Sequence, residues 1–232
     1  MLDIRKADQR GRGEHGWLSS RHSFSFAQYF DPQQVGFSDL LVINDDRVAP
    51  GRGFGKHPHR DMEIFSYVLE GALEHADTMG TGSVIRPGDV QLMSAGTGVA
   101  HSEYNHSKSE PVHFMQIWIM PSKNGLPPSY EQKMVDAKAV TNKFARIASP
   151  EPQPNEVRLV QDAEIWAAKL DADVEAIHNL GPGRRAWVQV TKGEVSIDTQ
   201  LLSTGDGAAV TDQAQIALRS RTPAELLLFD LA

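Results

Sequence analysis

Apolar and polar positions alternate in short runs along most of the chain, and the runs are rich in β-branched and aromatic residues. This pattern predicts strands over residues 40–44, 63–69, 72–76, 82–85, 90–93, 99–104 and 112–120. Turn signals separate them: Glu70-Gly71, Arg86-Pro-Gly-Asp89 and Ala95-Gly-Thr-Gly98. A second series is predicted over 157–160, 165–170, 186–190, 194–197, 208–211, 216–218 and 226–229. Short strands at this spacing, with little helical periodicity, indicate an all-β sandwich or barrel. One helix is expected, over 130–138. Ser129 would be its N-cap, and Gln132 three residues on would complete a capping box.

Around that helix the texture changes. Pro121-Ser-Lys-Asn-Gly-Leu-Pro-Pro128 is rich in breakers, and Ser149-Pro-Glu-Pro-Gln-Pro-Asn155 has the alternating prolines of an extended linker. Three segments follow: an N-terminal barrel over 1–125, a connecting segment over 126–155, and a C-terminal barrel over 156–232. The halves echo each other. Tyr67-Val-Leu-Glu-Gly71 followed by Arg86-Pro-Gly-Asp89 is matched by Val188-Gln-Val-Thr-Lys-Gly193 followed by Ser203-Thr-Gly-Asp206. In both, a strand reaches a turn glycine and a later turn ends in Gly-Asp, as an old duplication would leave it.

Composition narrows the function classes. Of 232 residues 40% are hydrophobic and 23% charged, as in a globular protein. The net charge is −7, and Lys and Arg are scattered, which argues against a nucleic-acid or anionic-membrane surface. No window has the apolar length of a membrane span or a secretory signal, so a cytoplasmic location is expected. With no Cys, neither a disulfide framework nor a thiolate metal site can form.

Histidine placement adds the chemistry. Six of nine histidines lie between residues 57 and 113, and among them are two i, i+2 pairs, His57-Pro-His59 and His101-Ser-Glu103. In a strand such side chains share a face, with Cα atoms roughly 6.5–7 Å apart. Two such pairs on neighbouring strands gather three imidazoles and a carboxylate around one point. Nitrogen and oxygen donors at that density suit Fe(II), Mn(II), Ni(II), Cu(II) or Zn(II). Glu63 has the same strand parity as His57 and His59, so spacing alone admits five ligands.

The spacing also carries a resemblance. Gly51-x5-His57-x-His59-x3-Glu63, closed by Gly71, resembles the first cupin signature, and Gly98-x2-His101-x3-Asn105 resembles the end of the second, about forty residues later. Beyond that level the chain resembles the pirin family. The matching stretches are His15-Gly-Trp17, Arg21-His-Ser-Phe-Ser-Phe26, Tyr29-Phe-Asp-Pro32, Gly53-Phe-Gly-Lys-His-Pro-His-Arg60, Val68-Leu-Glu-Gly71 and Ser94-Ala-Gly-Thr-Gly98 with His101-Ser-Glu103. It looks most like the shorter bacterial pirin-like quercetin 2,3-dioxygenases.

The resemblance implies an all-β bicupin, two stacked antiparallel barrels with few short helices, whose first barrel alone holds a metal. It also selects His57, His59, His101 and Glu103 as ligands and leaves Glu63 to orient a histidine or act as a base. Iron(II) is the first expectation, with manganese, nickel, copper and zinc as alternatives. The implied reaction is oxygenolytic opening of a flavonol's heterocyclic ring with release of carbon monoxide, using a small aromatic substrate and O2. The family also implies a second reading, a non-catalytic regulator that binds a transcription factor or metabolic enzyme through a redox-sensitive metal element.

Elsewhere simpler roles are expected. His75, His106 and His113 neighbour charged or turn residues and read as exposed or capped; His22 reads as a tether and His178 as surface. Phe65, Phe114 and Trp118 read as core. A cupin core is also its ligand pocket, so Phe65 and Gln116 are candidates for substrate contact. Lys56 and Arg60, of opposite parity to the histidines, read as solvent-facing.

Overall fold

The computed structural model describes all 232 residues. Twelve strands come first: β1 Leu2–Arg5, β2 Gly11–Glu14, β3 Leu18–His22, β4 Leu40–Val48, β5 Gly53–His59, β6 Glu63–Glu70, β7 Leu73–Asp77, β8 Gly82–Ile85, β9 Asp89–Ser94, β10 Val99–Asn105, β11 Val112–Ile119 and β12 Ser129–Met134. A single helical turn, α1 Ala137–Val140, separates these from β13 Ala145–Ser149, β14 Val157–Arg158, β15 Ala163–Leu170, β16 Glu175–Asn179, β17 Arg185–Lys192, β18 Glu194–Ile197, β19 Gln200–Ser203, β20 Gly207–Val210, β21 Gln215–Ser220 and β22 Ala224–Leu231. The named strand pairs are antiparallel, and the protein is all-β.

The chain divides into two compact units, 11–134 with 157–161, and 1–10 with 135–156 and 162–232. The division differs from a simple cut in the linker. The first ten residues belong to the second unit, where β1 pairs with β20, Leu2 facing Val210. Conversely, residues 157–161 belong to the first unit.

In the first unit one sheet runs β12-β9-β6-β11-β4-β3-β2 and the other β5-β10-β7-β8. Side chains of Leu18, Val48, Val68, Leu73, Ile85, Val112 and Phe114 form one apolar cluster of its interior. In the second unit the larger sheet has the order β1-β20-β17-β22-β15-β13 and the smaller β16-β21-β18-β19. The smaller sheets correspond strand for strand, and so do β9-β6-β11-β4 and β20-β17-β22-β15. Strand β1 thus occupies beside β20 the place that β12 occupies beside β9.

The turns repeat as well. Gly71 (φ 78°) and Gly193 (φ 79°) both adopt the left-handed conformation. A Cβ on Gly71 would lie 2.7 Å from the Pro111 carbonyl oxygen, and one on Gly193 would lie 2.2 Å from that of Pro223. The Asp89 and Asp206 carboxylates accept hydrogen bonds from the backbone amides of Arg86 and Ser203, each three residues earlier and each at 3.0 Å.

The helix expected over 130–138 is instead strand β12, paired with β9 from Ser129↔Ser94 to Met134↔Asp89. Tyr130 and Gln132 share one face and Glu131 and Lys133 the other, a period of two that pairing with β9 exploits over local helical propensity. The N-cap lies later: Asp136 accepts from the Lys138 amide at 2.9 Å. No helix is long and apolar enough to cross a membrane.

Gly71→Ala and Gly193→Ala should each lower unfolding stability in urea by about 1–3 kcal/mol, because each combines a left-handed backbone with a blocked Cβ. Gly82, with an open Cβ direction and no positive φ, is the control; its alanine variant should stay within about 0.5 kcal/mol of the parent.

Candidate metal centre and cavity

Strands β5 and β10 pair so that His101 faces His57 and Val99 faces His59. The register then slips: Glu103 faces Phe54, so three steps on β5 oppose two on β10. Gly53 permits the contact, since a Cβ there would lie 2.2 Å from the Glu103 carbonyl oxygen. The irregular stretch also turns the Gly55 carbonyl to His57, whose Nδ1 lies 2.8 Å from it. That bond places the His57 proton on Nδ1 and leaves Nε2 as a lone pair.

The three rings converge. Centroids are 4.5 Å apart for His57 and His101, 4.8 Å for His57 and His59, and 4.9 Å for His59 and His101. One ligand atom from each lies within 4.8 Å of the others. Nε2 of His59 and Nε2 of His101 are buried without a hydrogen-bond partner. Burial, and then the neighbouring His57, lowers His59 to about 4 and His101 to about 3, so both imidazoles are neutral at pH 7.

Glu103 belongs to a second group with His101 and His75, again within 4.8 Å. Ser66 Oγ donates to its Oε1 at 3.3 Å, and Gln116 Nε2 lies 3.5 Å from its Oε2. Burial pushes the carboxyl up to about 7, against those hydrogen bonds. A divalent cation fits these donors. It would accept the lone pairs of the unpartnered nitrogens and offset the cost of a buried carboxylate.

Other expectations fall differently. Glu63 lies on β6, beyond the turn at Asp61 (φ 48°), and strand parity does not carry across that turn. Its carboxylate accepts from Ser94 Oγ at 3.0 Å and the Val160 amide at 3.1 Å, and orients none of the histidines. Phe65, fully buried, lies on the face of β6 opposite Ser66 and is absent from the cavity wall beside the histidines. Gln116 does line that cavity. Lys56 and Arg60 are exposed, and His106 is an exposed residue bonded to Glu74 at 2.9 Å.

His75 and His113, expected to be exposed or capped, are both buried and hydrogen-bonded, and His178, expected at the surface, is buried. His113 Nε2 lies 2.7 Å from Asp45, and His178 Nε2 lies 2.8 Å from Asp230. His75 is 1% exposed, because β10 has β7 as its other neighbour and Glu103 faces His75 in that register.

The cavity has a volume of about 370 Å³, within the usual range for small-molecule sites. Trp17, Phe26, Phe54 and Trp118 supply its aromatic wall, and His57, His59 and Glu103 line it as well. Trp118 is more than core filler: its ring meets His59 edge-on at 5.0 Å, and its buried Nε1 has no partner. Strands β3 and β4 add a polar wall that the sequence did not single out. His22 Nδ1 lies 2.7 Å from Asn44 Oδ1, and Ser20 Oγ donates to Asp46. Burial, with a smaller contribution from Asp45, raises Asp46 to about 7.

Comparison with known proteins agrees with this architecture. The family model described as Pirin matches residues 4–119, and that of the quercetinase C-terminal cupin domain matches residues 146–231. The chain is 48% identical to a protein of Escherichia coli K12 named quercetin 2,3-dioxygenase, over 100% of this chain and 99% of the relative. It is 38% identical to a pirin-like protein of Caulobacter vibrioides, over the full length of both. Among solved structures, YhhW from Escherichia coli superposes with a TM-score of 0.96 at 47% identity, covering 100% of this chain and 98% of that one. The nickel(II) complex of bacterial pirin YhhW superposes with a TM-score of 0.94 at 46% identity, covering 100% and 99%. The two barrels make the protein a bicupin, and the chain belongs to the pirin family.

Proposed function

We propose that the protein is a metal-dependent dioxygenase that opens the heterocyclic ring of a flavonol such as quercetin, releasing carbon monoxide. The observation that carries this reading is the cavity itself: a cleft of about 370 Å³ lined by Trp17, Phe26, Phe54 and Trp118 together with His57, His59 and Glu103, at a histidine cluster in which Nε2 of His59 and Nε2 of His101 have no partner. The name of the 48% identical Escherichia coli relative supports it. In this reading His57, His59, His101 and Glu103 hold the metal. Iron(II) is the first choice, and the nickel(II) complex of YhhW makes nickel the leading alternative. A metal held by these residues would supply Lewis-acid chemistry, favouring the deprotonated form of a substrate enol hydroxyl.

The chain's own residues do the rest. Three neutral imidazoles and one carboxylate leave a divalent site with a net charge of about +1, which favours an anionic oxygen donor. Trp17, Phe54 and Trp118 offer flat apolar faces to aromatic rings and exclude water. The Trp118 indole N–H is buried and has no protein partner. Glu63 is bound elsewhere, so Asp46 is the carboxylate that faces the cavity without belonging to the ligand set. Held near 7 by burial, it is suited to take the proton of the substrate hydroxyl. An open cleft with aromatic walls at the proposed ligand set favours catalysis over the regulatory reading.

Metal-loaded protein under air should consume O2 with quercetin and release carbon monoxide, and neither should occur under argon. His57→Ala and His101→Ala should abolish both together with metal retention. A metal-loaded parent that binds quercetin and never turns it over would sink the dioxygenase reading.

Asp46→Asn should lower kcat about a hundredfold, the scale of a lost proton acceptor, with metal content unchanged. Steady-state O2 uptake alongside metal analysis checks this, and an unaltered kcat removes Asp46 from the mechanism.

A further inference from the structure

Strand β7 borders β10 on the side away from β5 and brings two more groups to His101. The side chains of His75 and Asp77 are fully buried. His75 Nε2 lies 3.0 Å from Asp77 Oδ2, and His75 Nδ1 lies 3.5 Å from His101 Nδ1, a long hydrogen bond. Neither residue is free to turn. The other Asp77 oxygen accepts from the amides of Met79 at 2.8 Å and Thr81 at 3.0 Å. The His75 ring stacks on Tyr130 at 4.7 Å, with an interplanar angle of 30°.

These contacts order the protons. A carboxylate with both oxygens accepting carries none, so the proton of the first bond sits on His75 Nε2. His75 Nδ1 is then a lone pair, and the facing His101 Nδ1 must carry the next proton. That leaves the lone pair of His101 on Nε2, the nitrogen that is buried without a partner. We propose that Asp77 and His75 form a relay that fixes His101 in its metal-ligating tautomer, which makes both of them positioning residues for the metal centre. The proposal rests on the metal reading above but not on the identity of the substrate.

The relay also makes His101 a stronger donor, because a carboxylate at its far end stabilises charge drawn toward the metal. Asn in place of Asp77 can keep its bonds to Met79 and Thr81 while presenting an N–H to His75 Nε2. Each proton in the chain then reverses, and His101 carries a hydrogen on the ligating nitrogen. An analogous Asp-to-Asn change in serine-protease triads preserves geometry and imposes the wrong tautomer.

A competing arrangement uses the same atoms. His75, His101 and Glu103 group within 4.8 Å and could themselves hold a second ion. Stoichiometry separates the two.

The test is Ni(II) titration of chelator-stripped parent, Asp77→Asn, His75→Phe and His75→Gln, with thermal melting of each metal-free protein. The parent should bind one ion per chain. Asp77→Asn and His75→Phe should weaken binding about 10–100-fold, while His75→Gln, whose amide oxygen still accepts from His101 Nδ1, should keep most of the affinity. Independently of any variant, imidazole 15N shifts of the metal-free parent should show hydrogen on His101 Nδ1 and His75 Nε2. Unchanged affinity in folded Asp77→Asn and His75→Phe, two ions per chain, or the opposite tautomers would overturn the relay. A parent that binds no metal overturns the relay and the metal reading together. Absent flavonol turnover with the affinities as expected overturns only the dioxygenase reading.

Discussion

Strand β10 is hydrogen-bonded to β5 on one side and to β7 on the other, and it carries both His101 and Glu103. A strand held from both sides cannot slip by one residue without sending its whole side-chain set to the opposite face. Every feature of the site depends on that register. It sets His101 opposite His57 and Glu103 opposite His75, and the local slip at Phe54 turns the Gly55 carbonyl toward His57. Gly53 lets the two backbones meet there, where a side chain would strike the carbonyl oxygen of Glu103.

The register creates an electrostatic problem along with the site. Buried imidazole nitrogens without partners and a buried carboxylate are each destabilising, by about 1–3 kcal/mol for an unsatisfied polar atom and more for a charge. Hydrogen bonds from Ser66 and Gln116 relieve Glu103 only partly, as its raised pKa shows. Nothing of the kind relieves Nε2 of His59 or Nε2 of His101. A cation resolves all of these at once. The proposed ligand set rests on these costs, which a hydrogen-bonded core would leave unrelieved.

Much of this was legible in the sequence because it depends on a period of two. His-x-His and His-x-Glu in strand-like runs place donors on one face whatever the sheet order, and most of the larger strands follow from the same alternation. What was not legible depends on which strands are neighbours. His75 looks peripheral until β7 is known to flank β10. Glu63 looks like a ligand until the turn at Asp61 carries it into a different sheet. Phe65 looks like pocket wall until β6 is known to turn Ser66 inward. Strand β3 escaped notice because its inward positions include Ser20 and His22, polar residues that line a cavity, where alternation arguments expect apolar ones.

The second barrel shows how far the scaffold can be separated from the chemistry. Its strand order matches, and its register identifies equivalent positions. Ile216 faces His178 as His101 faces His57, and Leu218 faces Ile197 as Glu103 faces His75. In the larger sheet Val188 lies between Leu228 and Ala208, as Ser66 lies between Gln116 and Gln91. Apart from His178, each polar member of the first set is replaced by a member of one continuous apolar core. His178, the counterpart of His57, is held by Asp230 instead. The turn glycines and capping aspartates, by contrast, are the same in both barrels. Backbone devices thus serve either interior, and the interior side chains decide between an apolar core and a buried polar cluster. The pirin site is a substitution pattern laid on a fold that stands without it.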